Sequence, residues 1–372
     1  MPSLAKKALL ALFSTALVWL VAWLGAKALA ASLGIGDLDM RFEHQLAMWE
    51  RAPAFGYRNR PGFVGTSWGR VAVRVGPQGF RGERGVAQAR DPGVLRVVAL
   101  GDSVTWGAGV DEEHTYAGVL SGLFSAAGTA AEVVNAGVVG YSALQEELLL
   151  ERRVLELAPD VVLVQLCSND VLPSEDPFGD CRAVYLRYLD RLLADPAFTW
   201  SDSDRGQFAA IRRVFERGER VDPLMAAAPA ETKLFAVRLF LELPARRMAE
   251  LCAARGARLV YLLVPPREQD PTYRLFAGRV ARAVRAAGGE VLDLAPALRQ
   301  DAGVEKIEAA QDFPDWVKRA LRVPPLREIN GILLVRRFER LHHTTKYIDA
   351  QHPSRSGHRI IAEAVWRHLA GT

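Results

Sequence analysis

Apolar and polar positions follow three rhythms along the chain. From Leu95 onward, short runs of β-branched and aliphatic residues at 96–100, 132–138, 161–166, 257–264 and 290–294 alternate with one-faced stretches at 115–127, 143–157, 275–287 and 356–369. Apolar runs of four to eight residues bounded by turn signals predict strands, and apolar residues three and four apart predict amphipathic helices. Local signals agree: Gly128 stands where a helix C-cap is expected, Ser142-Ala143-Leu144-Gln145 is a capping-box pattern, and Pro159-Asp160 stops the helix it opens. The run at 161–166 has the character of a strand covered on both faces. Strand and helix in alternation predict an α/β domain, a parallel sheet with helices on both sides and right-handed crossovers.

The second rhythm is strict alternation, RVAVRV at residues 70–75, followed by Pro77-Gln78-Gly79. It is a hairpin signal in a Gly-, Pro- and Arg-rich stretch, 34–91, and predicts a small β-containing preamble, residues 33–93, packed on the main domain. The third is no rhythm at all. Residues 8–26 hold nineteen positions without a charge, between Lys6-Lys7 and Lys27, enough for a helix to cross about 30 Å of hydrocarbon. Ala28-Leu29-Ala30 has the form of a signal-peptide cleavage site, but the apolar stretch exceeds the usual 7 to 15 residues, which favours an uncleaved membrane anchor over residues 1–32. With Lys6 and Lys7 on the cytoplasmic side, the rest of the chain is expected outside the membrane, periplasmic or extracellular. The main domain is then 94–372. Within it, 171–255 and 299–344 do not fit the alternation and are too long for loops, so they are expected to be insertions with structure of their own.

Composition adds exclusions. The chain has 372 residues, 50% hydrophobic and 24% charged, with net charge +4, which suits a globular protein and gives no basic stripe for nucleic acid. Cys167, Cys181 and Cys252 are too few for a disulfide framework or a metal cluster; one bridge, Cys167 with Cys181 being nearer in sequence, and three buried thiols are both open. His342-His343 lack ligand spacing, so no metal is expected.

The chemistry gathers around residues 97–106, VVALGDSVTW, where an apolar strand delivers Ser103 onto a turn. A serine hydroxyl is a poor nucleophile at neutral pH and needs a base, a group to orient that base, and donors for an oxyanion. His352 is a suitable base, and Asp349, three residues before it, can bend back to the other ring nitrogen. In an open parallel sheet, ligands bind beyond the carboxyl ends of the strands. Ser103, Gly140 and Asn169 follow the first three strands, so the N–H groups of Ser103 and Gly140 and the Asn169 amide are candidate oxyanion donors. Asp102 and Asp170 read as turn-stabilising carboxylates.

Gly-Asp-Ser after a strand, NAGVVG at 135–140, Ser168-Asn169-Asp170 after the third strand, and Asp349 to His352 followed by Pro-Ser and Gly-His resemble the four blocks of the GDSL-type lipase and esterase family, the SGNH hydrolases. The resemblance spans about 148 residues in the family's order. It implies a flavodoxin-like three-layer α/β/α fold, Ser103 as nucleophile, Gly140 and Asn169 as oxyanion donors, and Asp349 and His352 completing a triad. Its third block usually reads Gly-x-Asn-Asp; here Cys167 replaces the glycine, which matters if that position needs a left-handed backbone. The preamble and anchor also resemble exported bacterial members. The expected function is a membrane-anchored, extracytoplasmic serine esterase working through an acyl-serine intermediate on an ester-bearing lipid or glycan, with no cofactor. An O-acyltransferase acting on a cell-surface polysaccharide and a catalytically silent surface-binding module are the alternatives.

Overall fold

The structure is a computed structural model. It describes residues 4–32, 46–67, 71–88, 90–167, 169–172, 176–195, 199–217, 229–267, 270–298, 346–348 and 351–371. The stretch 299–344, His342-His343 and Asp349 lie outside the described residues.

Five parallel strands form the central sheet: β5 (Leu95–Leu100), β6 (Ala131–Asn135), β7 (Val161–Leu166), β8 (Arg258–Leu263) and β9 (Glu290–Asp293), in spatial order β6-β5-β7-β8-β9. Counted within this sheet the order is 2-1-3-4-5, that of flavodoxin. Val97 of β5 pairs with Val133 of β6 on one side and Val161 of β7 on the other. Successive side chains leave opposite faces of a strand, and the core divides accordingly. Val98, Leu100, Val162, Val164, Leu259 and Tyr261 bury one face. Against it lie the helices Ala143–Leu149, Leu243–Ala254 and Pro271–Ala286, through Leu144, Leu148, Met248, Cys252, Val280 and Val284. Val97, Ala99, Val161, Leu163, Val260 and Leu262 bury the other face, under Leu120 and Phe124 of helix Tyr116–Ala126 and Ile361 and Val365 of helix Arg355–Ala370. Each such side chain taken out of water contributes about 1.5–3 kcal/mol. The result is an α/β fold of three layers.

Local signals place the helix ends. Thr115 accepts a hydrogen bond from the Gly118 N–H (3.1 Å) and starts Tyr116–Ala126; the capping box forms between Ser142 and Gln145. The helix it opens passes through a π turn at Leu150–Val154 and a 3-10 turn at Leu155–Leu157, and stops where Ala158 turns left-handed (φ 47°) before Pro159. Asp270 accepts from the Thr272 N–H and Pro271 follows, so that helix begins four residues before the first position its apolar spacing marks.

The preamble holds two antiparallel pairs, β1 (Trp49–Ala52) with β2 (Gly56–Asn59) and β3 (Val64–Ser67) with β4 (Val71–Arg74). The alternating stretch is therefore a strand, but its partner precedes it; across Pro77-Gln78-Gly79 there is a single bridge, Val75 to Arg81. The chain is drawn away there because the Arg81 N–H donates to the Asn135 carbonyl (2.9 Å), at the end of edge strand β6. That bond ends β6 at Asn135 rather than at Val138. Trp49, Phe55, Tyr57, Val73 and Phe80 share one core with β5 and α-helical residues of the main domain.

Of the stretch 171–255, Leu243–Ala254 is the crossover helix that packs beside β8. Cys181–Ala194, Asp202–Arg217 and Ala230–Val237 are further helices, the last running into a π turn at Arg238–Glu242; Tyr185, Phe215 and Phe240 join the first two helices to that turn, their rings 5.0 to 5.8 Å apart by centroid. All three cysteines are buried, and none of them is in a disulfide.

Residues Leu4–Ser32 form a single 29-residue helix. Of its described side chains, Phe13, Leu17, Val18, Trp19, Leu20, Val21 and Leu24 are exposed, Trp23 is half-buried and Ala26 is buried. Among the described residues, no helix is long and apolar enough to cross a membrane.

Candidate functional site

Strand β5 ends in Gly101, whose φ of +154° only glycine adopts readily; a Cβ there would lie 2.1 Å from Thr105 Oγ1. The sharp exit lifts Ser103 to the start of a one-turn helix, Ser103–Trp106, which Asp102 caps by accepting from the Val104 N–H (2.9 Å). His352 comes from the opposite end of the chain. Its loop is pinned by Ile348 N–H to the His352 carbonyl, by Ser354 N–H to the Lys346 carbonyl (both 2.9 Å), and by Tyr347 Oη donating to the Pro265 carbonyl beyond β8 (2.6 Å). Ser354 then caps the last helix, and that helix is locked to the serine side of the sheet: His358 Nδ1 accepts from the Tyr116 N–H (3.1 Å), and Arg355 is paired with Asp111.

These constraints bring His352 Nε2 to 2.9 Å from Ser103 Oγ, with both residues buried. The serine hydroxyl also has Asp102 Oδ2 at 3.3 Å; the shorter contact is to the imidazole. With Nε2 accepting, the proton of the neutral ring sits on Nδ1, which is the tautomer a base for serine needs.

The turns that carry Gly140 and Asn169 are tied to the serine turn. Asn135 Nδ2 donates to the Thr105 carbonyl (2.8 Å), its Oδ1 accepts from the Gly137 N–H (3.0 Å), and the Val138 N–H donates to the Gly101 carbonyl (3.0 Å). Gly137 packs so closely on the serine helix that a Cβ would stand 2.4 Å from Trp106 N. Gly140 has φ +80°. On the β7 side, Asp170 Oδ2 accepts from the Cys167 N–H (2.6 Å) and the Asp170 carbonyl accepts from the Ala143 N–H (2.9 Å), closing the turn that presents the half-buried Asn169. Among the described residues the one non-glycine with positive φ is Ala158, so Cys167 needs no left-handed backbone and takes the usual glycine's place without strain. Asp102 and Asp170 are turn-stabilising carboxylates, as their positions in the sequence predict.

Four side chains at this edge have no motif to announce them. Arg81, from the preamble, is buried with its guanidinium donating to the carbonyls of Trp106, Gly107 (2.8 Å) and Val110 (2.6 Å) and lying 5.1 Å from the Trp106 ring centre. Burial lowers its pKa to about 10, which leaves it cationic at neutral pH, capping the carbonyl end of the serine helix. Tyr57 and Asn59 reach the Gly140 turn from β2. Glu146, in the helix after that turn, is wholly buried, and neither of its carboxyl oxygens meets a donor among the described residues.

Burial, and then the neighbouring Asp102 carboxylate, push Glu146 well above the usual carboxylate range. Asp170 is pushed the same way by burial and by Glu146 and Asp102, against the pull of the Cys167 N–H. Glu146 therefore keeps its proton in the folded chain at pH values where the unfolded chain, titrating near 4.3, has lost it. A group raised in this way contributes its full stability below the unfolded value, and that contribution is lost as pH rises toward the folded one, at up to about 1.4 kcal/mol per pH unit. Glu146→Gln, which copies the protonated acid, is expected to match the wild type in Tm near pH 4 and to exceed it by a margin that widens toward pH 8. A margin independent of pH in thermal melts across that range would refute the protonated acid.

A cleft of about 830 Å³ runs along β6 and the preamble, between Arg74, Glu112 and Val133, and includes neither Ser103 nor His352. The pairing of a serine hydroxyl with an imidazole lies apart from that cleft, at the carboxyl ends of the sheet strands.

Compared with known proteins, residues 99–360 match the GDSL-like Lipase/Acylhydrolase family. No curated protein matches the chain. Among solved structures, TesA is 16% identical, with a TM-score of 0.40 over 74% of this chain and 99% of its own. A variant of Axe2, an acetylxylan esterase from Geobacillus stearothermophilus, is 14% identical, with a TM-score of 0.39 over 76% of this chain and 96% of its own. The acetyl xylan esterase AlAXEase is 16% identical, with a TM-score of 0.39 over 74% and 100%. At such scores the likeness says nothing of substrate.

Proposed function

Because the chain belongs to the GDSL-like lipase/acylhydrolase family and is an ester-hydrolysing serine hydrolase, we propose that Ser103 is its nucleophile, His352 its base and Asp349 the group that orients the base. The observation that carries this is the 2.9 Å approach of His352 Nε2 to Ser103 Oγ in a buried setting. In the proposed reaction His352 takes the Ser103 proton as Oγ bonds to the ester carbonyl carbon. The oxygen that becomes negative is met by the N–H groups of Ser103 and Gly140 and the Asn169 amide. Collapse of the tetrahedral intermediate breaks the bond to the alcohol, which leaves with the proton from His352, and an acyl-serine remains. Water, deprotonated by His352, then attacks the acyl carbon; Oγ leaves with the proton, and the acid is released.

We further propose that residues 8–26 anchor the enzyme in a membrane with the catalytic domain on the extracytoplasmic side, acting on an ester-bearing lipid or glycan. The charge-free stretch between Lys6-Lys7 and Lys27 and the exposed Phe13, Leu17, Val18, Trp19, Leu20, Val21 and Leu24 support this reading, set against the finding that, among the described residues, no helix is long and apolar enough to cross a membrane.

One experiment tests both parts. The full-length protein, expressed in bacteria, is labelled with a fluorophosphonate, fractionated and digested. The expected result is an adduct on Ser103, recovered in a membrane fraction that resists carbonate extraction and withheld from label by Ser103→Ala. An adduct in the soluble fraction would remove the anchor. No adduct on a folded protein would remove the serine mechanism. An adduct without turnover of p-nitrophenyl acetate or butyrate would favour transfer to an acceptor.

A further inference from the structure

The Gly140 N–H can serve an oxyanion only if it faces the serine, and its direction is set by one peptide plane. A trans peptide is rigid, so the Val139 carbonyl and the Gly140 N–H point in opposite directions and turn together. Glycine at φ +80° tolerates either orientation of the plane. What chooses between them is outside the turn. Tyr57 Oη, on β2 of the preamble, donates to the Val139 carbonyl (2.8 Å), on the far side of the same peptide as the Gly140 N–H. Asn59 Nδ2, two residues further along β2, donates to the Gly137 carbonyl (3.0 Å) and to the Gly79 carbonyl (3.2 Å).

Both side chains are fully buried, where an unmade hydrogen bond is costly. The scaffold behind them is stiff: Tyr57 packs between Trp49 (5.2 Å) and Tyr141 (5.3 Å), Tyr141 Oη donates back to the Tyr57 carbonyl, and Gln145 Nε2 donates to the Phe55 carbonyl (2.8 Å).

We propose that Tyr57, with Asn59 behind it, is a positioning residue of the oxyanion hole: its hydroxyl holds the Val139–Gly140 peptide plane so that the Gly140 N–H faces the reacting carbonyl. This rests on the reading of Ser103 as nucleophile and Gly140 as oxyanion donor. It gives the preamble a part in catalysis, since the hairpin that precedes the α/β domain supplies the group that aims one of its donors.

The test is ester hydrolysis by the full-length protein in detergent, comparing wild type with Tyr57→Phe, which keeps the ring and removes the donor. The expected result is a kcat lowered about tenfold, KM within about twofold, and affinity for a trifluoromethyl ketone, whose adduct carries the oxyanion, lowered in step with kcat. 4-Aminophenylalanine at position 57 restores a donor and is expected to recover most of the loss. Unchanged kcat and ketone affinity in a folded Tyr57→Phe would overturn the proposal, as would a loss confined to Tm. If Tyr57→Phe does not fold, Asn59→Ser probes the same turn from the Gly137 carbonyl; a fall in kcat and ketone affinity together supports the proposal, and wild-type values for both overturn it. The underlying reading fails separately: a wild type without esterase activity, or a Ser103→Ala variant that keeps it, overturns that reading and the proposal with it.

Discussion

Replacing Ser103 by alanine is expected to slow ester hydrolysis by about 10,000-fold or more, and His352→Ala by a comparable factor, with the double variant little slower than either single one. The reason is that the two side chains act as one unit. Without the imidazole, the hydroxyl that stands 2.9 Å away holds its proton at neutral pH and attacks too slowly to matter. Without the hydroxyl, the imidazole has nothing to activate but water, badly placed for the carbonyl. Losses that multiplied in the double variant would mean that Ser103 and His352 serve different steps. Retention of about a tenth of the activity by either single variant, measured as kcat/KM on p-nitrophenyl butyrate, would place the nucleophile elsewhere.

Asn169→Ala is the second large effect, a fall of about 100- to 1000-fold in kcat with little change in KM, as expected of a donor used chiefly in the transition state. The turn that bears it is closed at Asp170, whose carboxylate accepts from the Cys167 N–H and whose carbonyl accepts from the Ala143 N–H. The substitution is therefore expected to leave Tm nearly unchanged. Equal losses in kcat/KM and in Tm would assign Asn169 to the fold and not to the oxyanion.

Much of this was legible in the chain. Strands β5, β7 and β8 are apolar enough to announce themselves, and Gly-Asp-Ser at the end of β5 marks the edge where Ser103 and His352 meet. Helix ends were legible too, wherever a side chain caps them, as at Thr115 and Ser142. What could not be read is every contact whose partner is a main-chain carbonyl. Arg81 grips Trp106, Gly107 and Val110 through their backbones, and Tyr57 and Asn59 hold Val139 and Gly137 in the same way. Every residue has a carbonyl, so no pattern points to these three. Glu146 was hidden for a different reason: in an amphipathic helix a glutamate belongs by default on the solvent face, and only the fold shows that this one is buried beside Asp102 and Asp170.

Ser103 and His352 are 249 residues apart, and the Arg355–Asp111 pair and the His358–Tyr116 bond close gaps of 244 and 242. These contacts give the site a high contact order, formed late in folding because distant segments must first be brought together. A chain made from its N-terminus presents Ser103 long before His352, its proposed base, exists. On the proposed reading of Ser103 and His352, hydrolytic competence arrives only when the final helix docks, and a chain cut short before residue 352 is expected to carry an inert serine.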